Sequence, residues 1–120
     1  VYKRQGIHGE RGIETIAIKS ASDIVEQLSQ VIEADLNIIS GQKILLHING
    51  FGATPMMELY AVYELAEAYW QQRGVEVIRS LVGNYTTSLD MAGCSITVTV
   101  MDDEFTKLWD APVHTASLNW

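Results

Sequence analysis

The sequence predicts an α/β fold: one small domain with a mixed, partly parallel sheet flanked by helices. Short apolar or β-branched runs of strand length alternate with longer stretches whose apolar residues recur at helical spacing. Glycine and serine-glycine pairs punctuate them, and 48% hydrophobic residues in a chain of 120 suffice for one core but not for two domains.

Residues 13–18 open the pattern, β-branched and polar by turns, with Ile16 and Ile18 on one face as a strand requires. Ser20-Ala21-Ser22-Asp23 then offers capping oxygens to a helix whose apolar stripe is Ile24, Val25, Leu28, Val31, Ile32 and Leu36, ended by Ser40-Gly41. The run from Lys43 to Asn49 is nearly all apolar and too short for most helices, so it reads as a buried strand of an α/β sheet. Gly50-Phe51-Gly52-Ala53 turns the chain. Thr54 is placed to cap and Pro55 to take the first position of a second helix, buried through Leu59, Val62, Tyr63, Ala66 and Trp70 and stopped at Arg73-Gly74. Val75 to Val82 is a further strand, 83–93 a loop or short helix, and Ile96, Val98 and Val100 alternate with Thr97, Thr99 and Met101 in the next strand. Asp102 and Asp103 start a short helix through Phe105, Leu108 and Trp109, ended at Pro112 and followed by a loose tail.

Composition excludes several classes. Eight Lys and Arg against 15 Asp and Glu give a formal net charge of −7, which repels a phosphate backbone and leaves no basic stripe for nucleic acid. No apolar run approaches the roughly 20 residues that cross a bilayer, so no membrane partner is expected. A single cysteine, Cys94, and the absence of a signal-peptide pattern favour the cytoplasm. The first residue is Val1, not methionine, and residues 1–5 read as foreign or junction sequence in front of a domain spanning 6–120.

Chemistry has few places to reside. Gly6-Ile7-His8-Gly9-Glu10-Arg11-Gly12 surrounds one imidazole with three glycines, so backbone can approach a small ligand and the ring can titrate near neutral pH; a solvated turn histidine is the blander account. Asn49-Gly50-Phe51-Gly52-Ala53-Thr54-Pro55 is a strand-to-helix turn of the kind whose N–H groups cradle anions, yet it lacks the Lys-Ser or Lys-Thr pair of a P-loop and reads more simply as a tight turn. His47 lies in an apolar strand and reads as a sheet histidine with one hydrogen-bond partner; His114 falls in a terminal loop. No spacing of His8, His47, His114 and Cys94 makes a metal site. Asp102-Asp103-Glu104 is explained by helix capping before acid-base work, and Cys94 by burial as a small hydrophobe.

Four of these segments together resemble the second half of the dihydroxyacetone kinase substrate-binding subunit. They are Gly6 to Glu10, Asn49 to Pro55, the run from Arg79 to Gly93 (Arg-Ser-Leu-Val-Gly-Asn-Tyr-Thr-Thr-Ser-Leu-Asp-Met-Ala-Gly), and Leu108-Trp109-Asp110-Ala111-Pro112-Val113-His114-Thr115. The resemblance implies that His8 is both the catalytic and the substrate-binding residue, adding to the ketone of dihydroxyacetone to form a hemiaminal. It further implies that the base activating the hydroxyl sits in an N-terminal lobe outside this sequence, so this stretch alone is not a kinase. The same resemblance places no cofactor on the chain itself, implies an ADP- or ATP-type phosphoryl donor on a nucleotide-binding partner subunit or a fused domain, and implies a homodimer for the full-length protein. The ending from Ala111 to Trp120 is similar to subunits served by the phosphotransferase system of glycerol metabolism. Phe51, His47, Arg11 and Ala116 depart from the family's usual leucine, aliphatic, proline and proline. A second reading implied by the same resemblance is a ketose-sensing co-activator without kinase activity; a third, apart from it, is an interaction domain in which His8 is idle.

Overall fold

The structure, a computed structural model, describes residues 2–3, 12, 14–15, 19–89 and 91–120. Two short strands, β1 (Tyr2–Lys3) and β2 (Glu14–Thr15), pair antiparallel. Then follow α1 (Ala21–Leu36), β3 (Lys43–Gly50), α2 (Met56–Gln71), β4 (Glu76–Gly83), β5 (Cys94–Met101) and α3 (Asp103–Trp109). The main sheet has the order β4-β3-β5, parallel between β3 and β4 and antiparallel between β3 and β5. The mixed, partly parallel sheet expected from the alternation is therefore present. Residues 16–18 of the first expected strand lie outside the described residues.

Alternation along β3 divides the sheet into two faces. Ile44, Leu46 and Ile48 point toward the helices and are fully buried with Leu59, Ala66 and Trp70 of α2 and Val25 of α1. Cys94, Ile96 and Val98 of β5 pack on the same core, so Cys94 does serve as a small hydrophobe, and burial pushes its thiol pKa up. Removing each aliphatic side chain from water contributes on the order of 1.5–3 kcal/mol, which makes this face the main source of stability. Pairing places Leu45, His47 and Asn49 of β3 beside Arg79, Leu81 and Gly83 of β4 and Thr99, Thr97 and Ser95 of β5 on the opposite face. An irregularity in β4 between the Ile44↔Val77 and Leu45↔Arg79 pairs sets that register.

A side-chain clamp closes the helical layer. Glu33 of α1 accepts hydrogen bonds from the Tyr69 hydroxyl and, at 2.9 Å, from Arg73 Nε, while the Arg73 guanidinium lies 3.5 Å from the centre of the Tyr69 ring. Burial, reinforced by the bond to Glu33, pushes the Tyr69 hydroxyl pKa up to about 12, so it remains a donor at physiological pH.

Two local expectations are revised and a third is narrowed. Ser20 caps α1 as expected, its Oγ accepting from Asp23 N at 3.1 Å, but α2 begins at Met56 with Pro55 as its N-cap, and Thr54 makes no cap bond. Residues 83–93 contain no helix among those described. The tail is not loose: Val113 and Trp120 exchange backbone hydrogen bonds, Trp120 stacks on Trp109 with ring centres 5.1 Å apart, and Trp120 Nε1 donates to Trp109 O at 3.0 Å. Arg79 fastens the region with a two-pronged pair to Asp110 at 2.7 and 2.6 Å.

Candidate functional site

The parallel strands β3 and β4 both end in glycine, at Gly50 and Gly83, and the segments leaving them are bound to each other. Asn49, only 4% exposed, reaches from the last turn-facing position of β3 into the β4–β5 loop. Its Oδ1 accepts from Tyr85 N at 2.9 Å and Thr86 N at 2.8 Å, and its Nδ2 donates to Thr86 O at 2.9 Å. Asn84 reciprocates from the other side, its Oδ1 accepting from Gly52 N at 3.2 Å. That carboxamide occupies the space a Cβ on Gly50 would need, with Leu59 Cδ1 a further 2.9 Å obstacle. Gly50 is thus required by close approach rather than by a special φ. Gly83 has the same role on the opposite face, where a Cβ would meet the Tyr85 ring at 2.8 Å.

Further bonds complete the junction. Phe51 N donates to Gly93 O at 3.2 Å, Ala53 N to Met91 O at 3.2 Å, and Ser88 N to Phe51 O at 2.9 Å. Thr54 Oγ1 donates to Gly93 O at 2.8 Å and accepts from Gly93 N at 2.9 Å. The N–H groups of Phe51, Gly52 and Ala53 are therefore all committed to the β4–β5 loop. An anion cradle needs such donors free, so the turn serves to hold the loop, which agrees with its reading as a tight turn.

Beneath this junction His47 packs against Tyr85, ring centres 5.8 Å apart and tilted by 60°. Its Nε2 is buried and has no hydrogen-bond partner among the described residues. Burial pushes the imidazole pKa below its ordinary value, so the ring is held neutral. His114 is exposed, its Nδ1 3.2 Å from Asn119 Oδ1, and it takes part in the bridge to Asn119 near the C-terminal end. Asp102 caps α3 by accepting from Phe105 N at 2.7 Å, as the capping account of the acidic run requires. No group of three or more His, Cys, Asp or Glu suited to a metal exists among the described residues, and no described helix is long and apolar enough to cross a membrane.

His8, with the whole of Gly6 to Arg11, lies outside the described residues, as does Asp90. What the structure does bring together is two of the other segments that carried the family resemblance, Asn49 to Pro55 and the loop following Gly83. The two asparagines that join them were given no role in the sequence. Their signal was available in the Asn-Gly at the end of one strand and the Gly-Asn at the end of the next.

An open α/β sheet whose tied turns crowd the carboxyl ends of its parallel strands is the frame on which small-molecule sites are built in this fold class. The chain belongs to the Dak1 domain family, whose model matches residues 5–117. It is 37% identical, over 96% of its length, to the dihydroxyacetone-binding subunit DhaK of the PEP-dependent dihydroxyacetone kinase of Escherichia coli, of which it covers 39%. It is 36% identical to L-erythrulose 1-kinase of Mycolicibacterium smegmatis, over 92% of this chain and 20% of that one. A solved structure titled as the dihydroxyacetone kinase operon co-activator Dha-DhaQ superposes with a TM-score of 0.84 at 29% identity, covering 89% of this chain and 34% of the other. The chain thus spans well under half the length of the relatives it matches, as a C-terminal lobe would.

Proposed function

We propose that this chain is the C-terminal lobe of the dihydroxyacetone-binding subunit of a cytoplasmic dihydroxyacetone kinase and that His8 holds the substrate covalently. The family match along 5–117, with 37% identity to a dihydroxyacetone-binding subunit, is the observation that supports this reading. A neutral imidazole nitrogen of His8 attacks the ketone carbon; a C–N bond forms, the carbonyl π bond opens, and the ring proton ends on the new hydroxyl. No group leaves, so the product is a hemiaminal of the substrate's full mass. Glycerol has no carbonyl and cannot form this adduct, which gives selectivity through bond formation and not through fit alone. The anchored terminal hydroxyl then meets a phosphoryl group delivered by a nucleotide-bearing partner subunit or domain, a reaction governed by positioning. An N-terminal lobe supplies the base, and residues 6–120 form the lobe, with 1–5 outside it.

Gentle-ionisation mass spectrometry of the full-length subunit with dihydroxyacetone tests the anchor. The wild type gains the mass of one intact ketose and His8→Ala gains none; equal gain in both refutes covalent capture at His8. The likeness to the Dha-DhaQ co-activator supports a second reading, a ketose sensor that keeps the adduct without phosphorylating it. Turnover with a phosphoryl-donor subunit separates the two: adduct with turnover is the kinase, adduct without it the sensor.

A further inference from the structure

The chain holds four asparagines, and only one of them precedes glycine: Asn49-Gly50, against Asn37-Ile38, Asn84-Tyr85 and Asn119-Trp120. In an asparagine-glycine pair the backbone nitrogen after the carboxamide belongs to a residue with no side chain to obstruct it, so it can reach the side-chain carbonyl carbon and close a cyclic imide. By sequence Asn49 is therefore the asparagine of this chain most open to deamidation. The fold opposes that order, because Asn49 is only 4% exposed and its carboxamide is fully engaged.

Ring closure requires Asn49 Cγ to swing over Gly50 N, and three features of the junction prevent it. Asn49 lies in β3, where an extended backbone projects the side chain out of the pleat. The carboxamide is turned toward the β4–β5 loop by its bonds to Tyr85 N, Thr86 N and Thr86 O, all of which must break before it can rotate back. The space beside Gly50 is also taken: the Asn84 carboxamide and Leu59 Cδ1 fill the position a Cβ would occupy, and Gly50 itself is paired with Cys94 of β5. All of these contacts lie within the lobe itself.

We propose that Asn49 is a deamidation site guarded by the β4–β5 loop, and that opening of the loop is what lets it react. Gly50 N attacks Asn49 Cγ and loses its proton; a C–N bond forms, the bond to the side-chain nitrogen breaks, and ammonia leaves carrying the proton. Water then opens the succinimide at either carbonyl, giving aspartate or, with the main chain rerouted through the side chain, isoaspartate. One water is consumed and one ammonia released, with no oxidant or cofactor, and the chemistry is independent of the activity proposed above. Either product has lost the donor to Thr86 O, and isoaspartate also adds a methylene to β3 where its pairing with β4 and β5 ends. A loop that has opened and reacted therefore cannot be latched as before, and the modified residue is a lasting chemical record of the opening. Its rate of formation is the intrinsic rate of the pair multiplied by the fraction of time the loop is open.

The test incubates the full-length protein in mildly alkaline buffer, native or unfolded in guanidinium, and follows each asparagine by peptide mapping and mass spectrometry, with Asn49→Asp protein as the standard for one product. In the unfolded chain Asn49 is converted ahead of Asn37, Asn84 and Asn119, and Gly50→Ala slows it there, where folding plays no part. In the native protein conversion at Asn49 is slower by on the order of a hundredfold, the factor that three neutral hydrogen bonds imply. Thr54→Ala frees the Gly93 end of the loop without altering Asn49 or Gly50, and with two bonds lost it raises the native rate about tenfold or more. Should that variant not fold, wild type in sub-denaturing guanidinium replaces it, with conversion of Asn49 rising in parallel with hydrogen exchange at the Thr86 amide. Equal rates in native and unfolded protein overturn the guard. A native rate unchanged in Thr54→Ala while the Tyr85 and Thr86 amides exchange faster overturns the dependence on loop opening, and earlier conversion of another asparagine in the unfolded chain overturns the choice of Asn49.

Discussion

Replacing Asn49 by alanine removes the single side chain that bonds three backbone groups of the β4–β5 loop. A neutral hydrogen bond is worth about 1 kcal/mol net, so the lost bonds amount to roughly 3 kcal/mol. The full desolvation penalty of the orphaned groups is not added, because Thr86 borders solvent and water can reoccupy its side of the vacated space. Against a typical domain stability of about 5–15 kcal/mol this is a large effect. Urea unfolding followed by circular dichroism measures the loss, and amide hydrogen exchange locates it, with the Tyr85 and Thr86 amides expected to lose protection before any amide of β3. Asn49→Asp divides the terms: it keeps the one oxygen that accepts from both amides and loses only the donation to Thr86 O, replacing it with a carboxylate oxygen facing a carbonyl. A loss below about 1 kcal/mol for Asn49→Ala, with both amides still protected, would refute the latch as the element that orders the loop.

Gly50→Ala is expected to be more damaging than its size suggests, since the new methyl collides with the Asn84 carboxamide and with Leu59 Cδ1 at 2.9 Å; a destabilisation of about 1–3 kcal/mol in urea, with faster exchange at Gly52, checks it, and wild-type behaviour at both refutes the close-approach account. His47 gives a pH signature of defined sign. Its pKa is depressed in the folded chain relative to an unfolded value near 6.5, so the unfolded state binds more protons in that window. Stability is intact above the window and falls as pH drops through it, and His47→Leu is expected to remove that dependence; parallel pH profiles for the two proteins between pH 8 and 5 would contradict it.

Much of the fold is legible because burial leaves a periodic trace. The continuous apolar run in β3 and the spaced Leu59, Ala66 and Trp70 of α2 are consequences of packing a strand against a helix, and both are found where the sequence indicates them. Burial also departs from the pattern at element ends. Leu36, at the end of the α1 stripe, is 42% exposed, and Met101, on the polar side of the β5 alternation, is only 7% exposed beside the start of α3. Capping at Thr54 was a sound local inference, but its hydroxyl is captured by Gly93, 39 positions away. The asparagine latch is harder still to read for the same reason. Bonds from a side chain to a distant backbone impose no period, and only the glycines that make room for them mark the place. The resemblance of the segments was readable without their geometry, which explains why the family was evident while the contact between two of its motifs was not.

The placement of the tryptophans gives the chain two separate optical reporters. Trp70 is fully buried between α2 and the sheet, whereas Trp109 and Trp120 form a stacked pair at the C-terminal end, Trp120 remaining 43% exposed. Core and tail therefore fluoresce from different surroundings, the first shielded from water and the second accessible to soluble quenchers. The stacked indoles also couple their electronic transitions, giving a circular dichroism contribution that disappears once the last residue leaves its neighbour. Release of the C-terminal tail can accordingly be distinguished from collapse of the core in a single unlabelled sample.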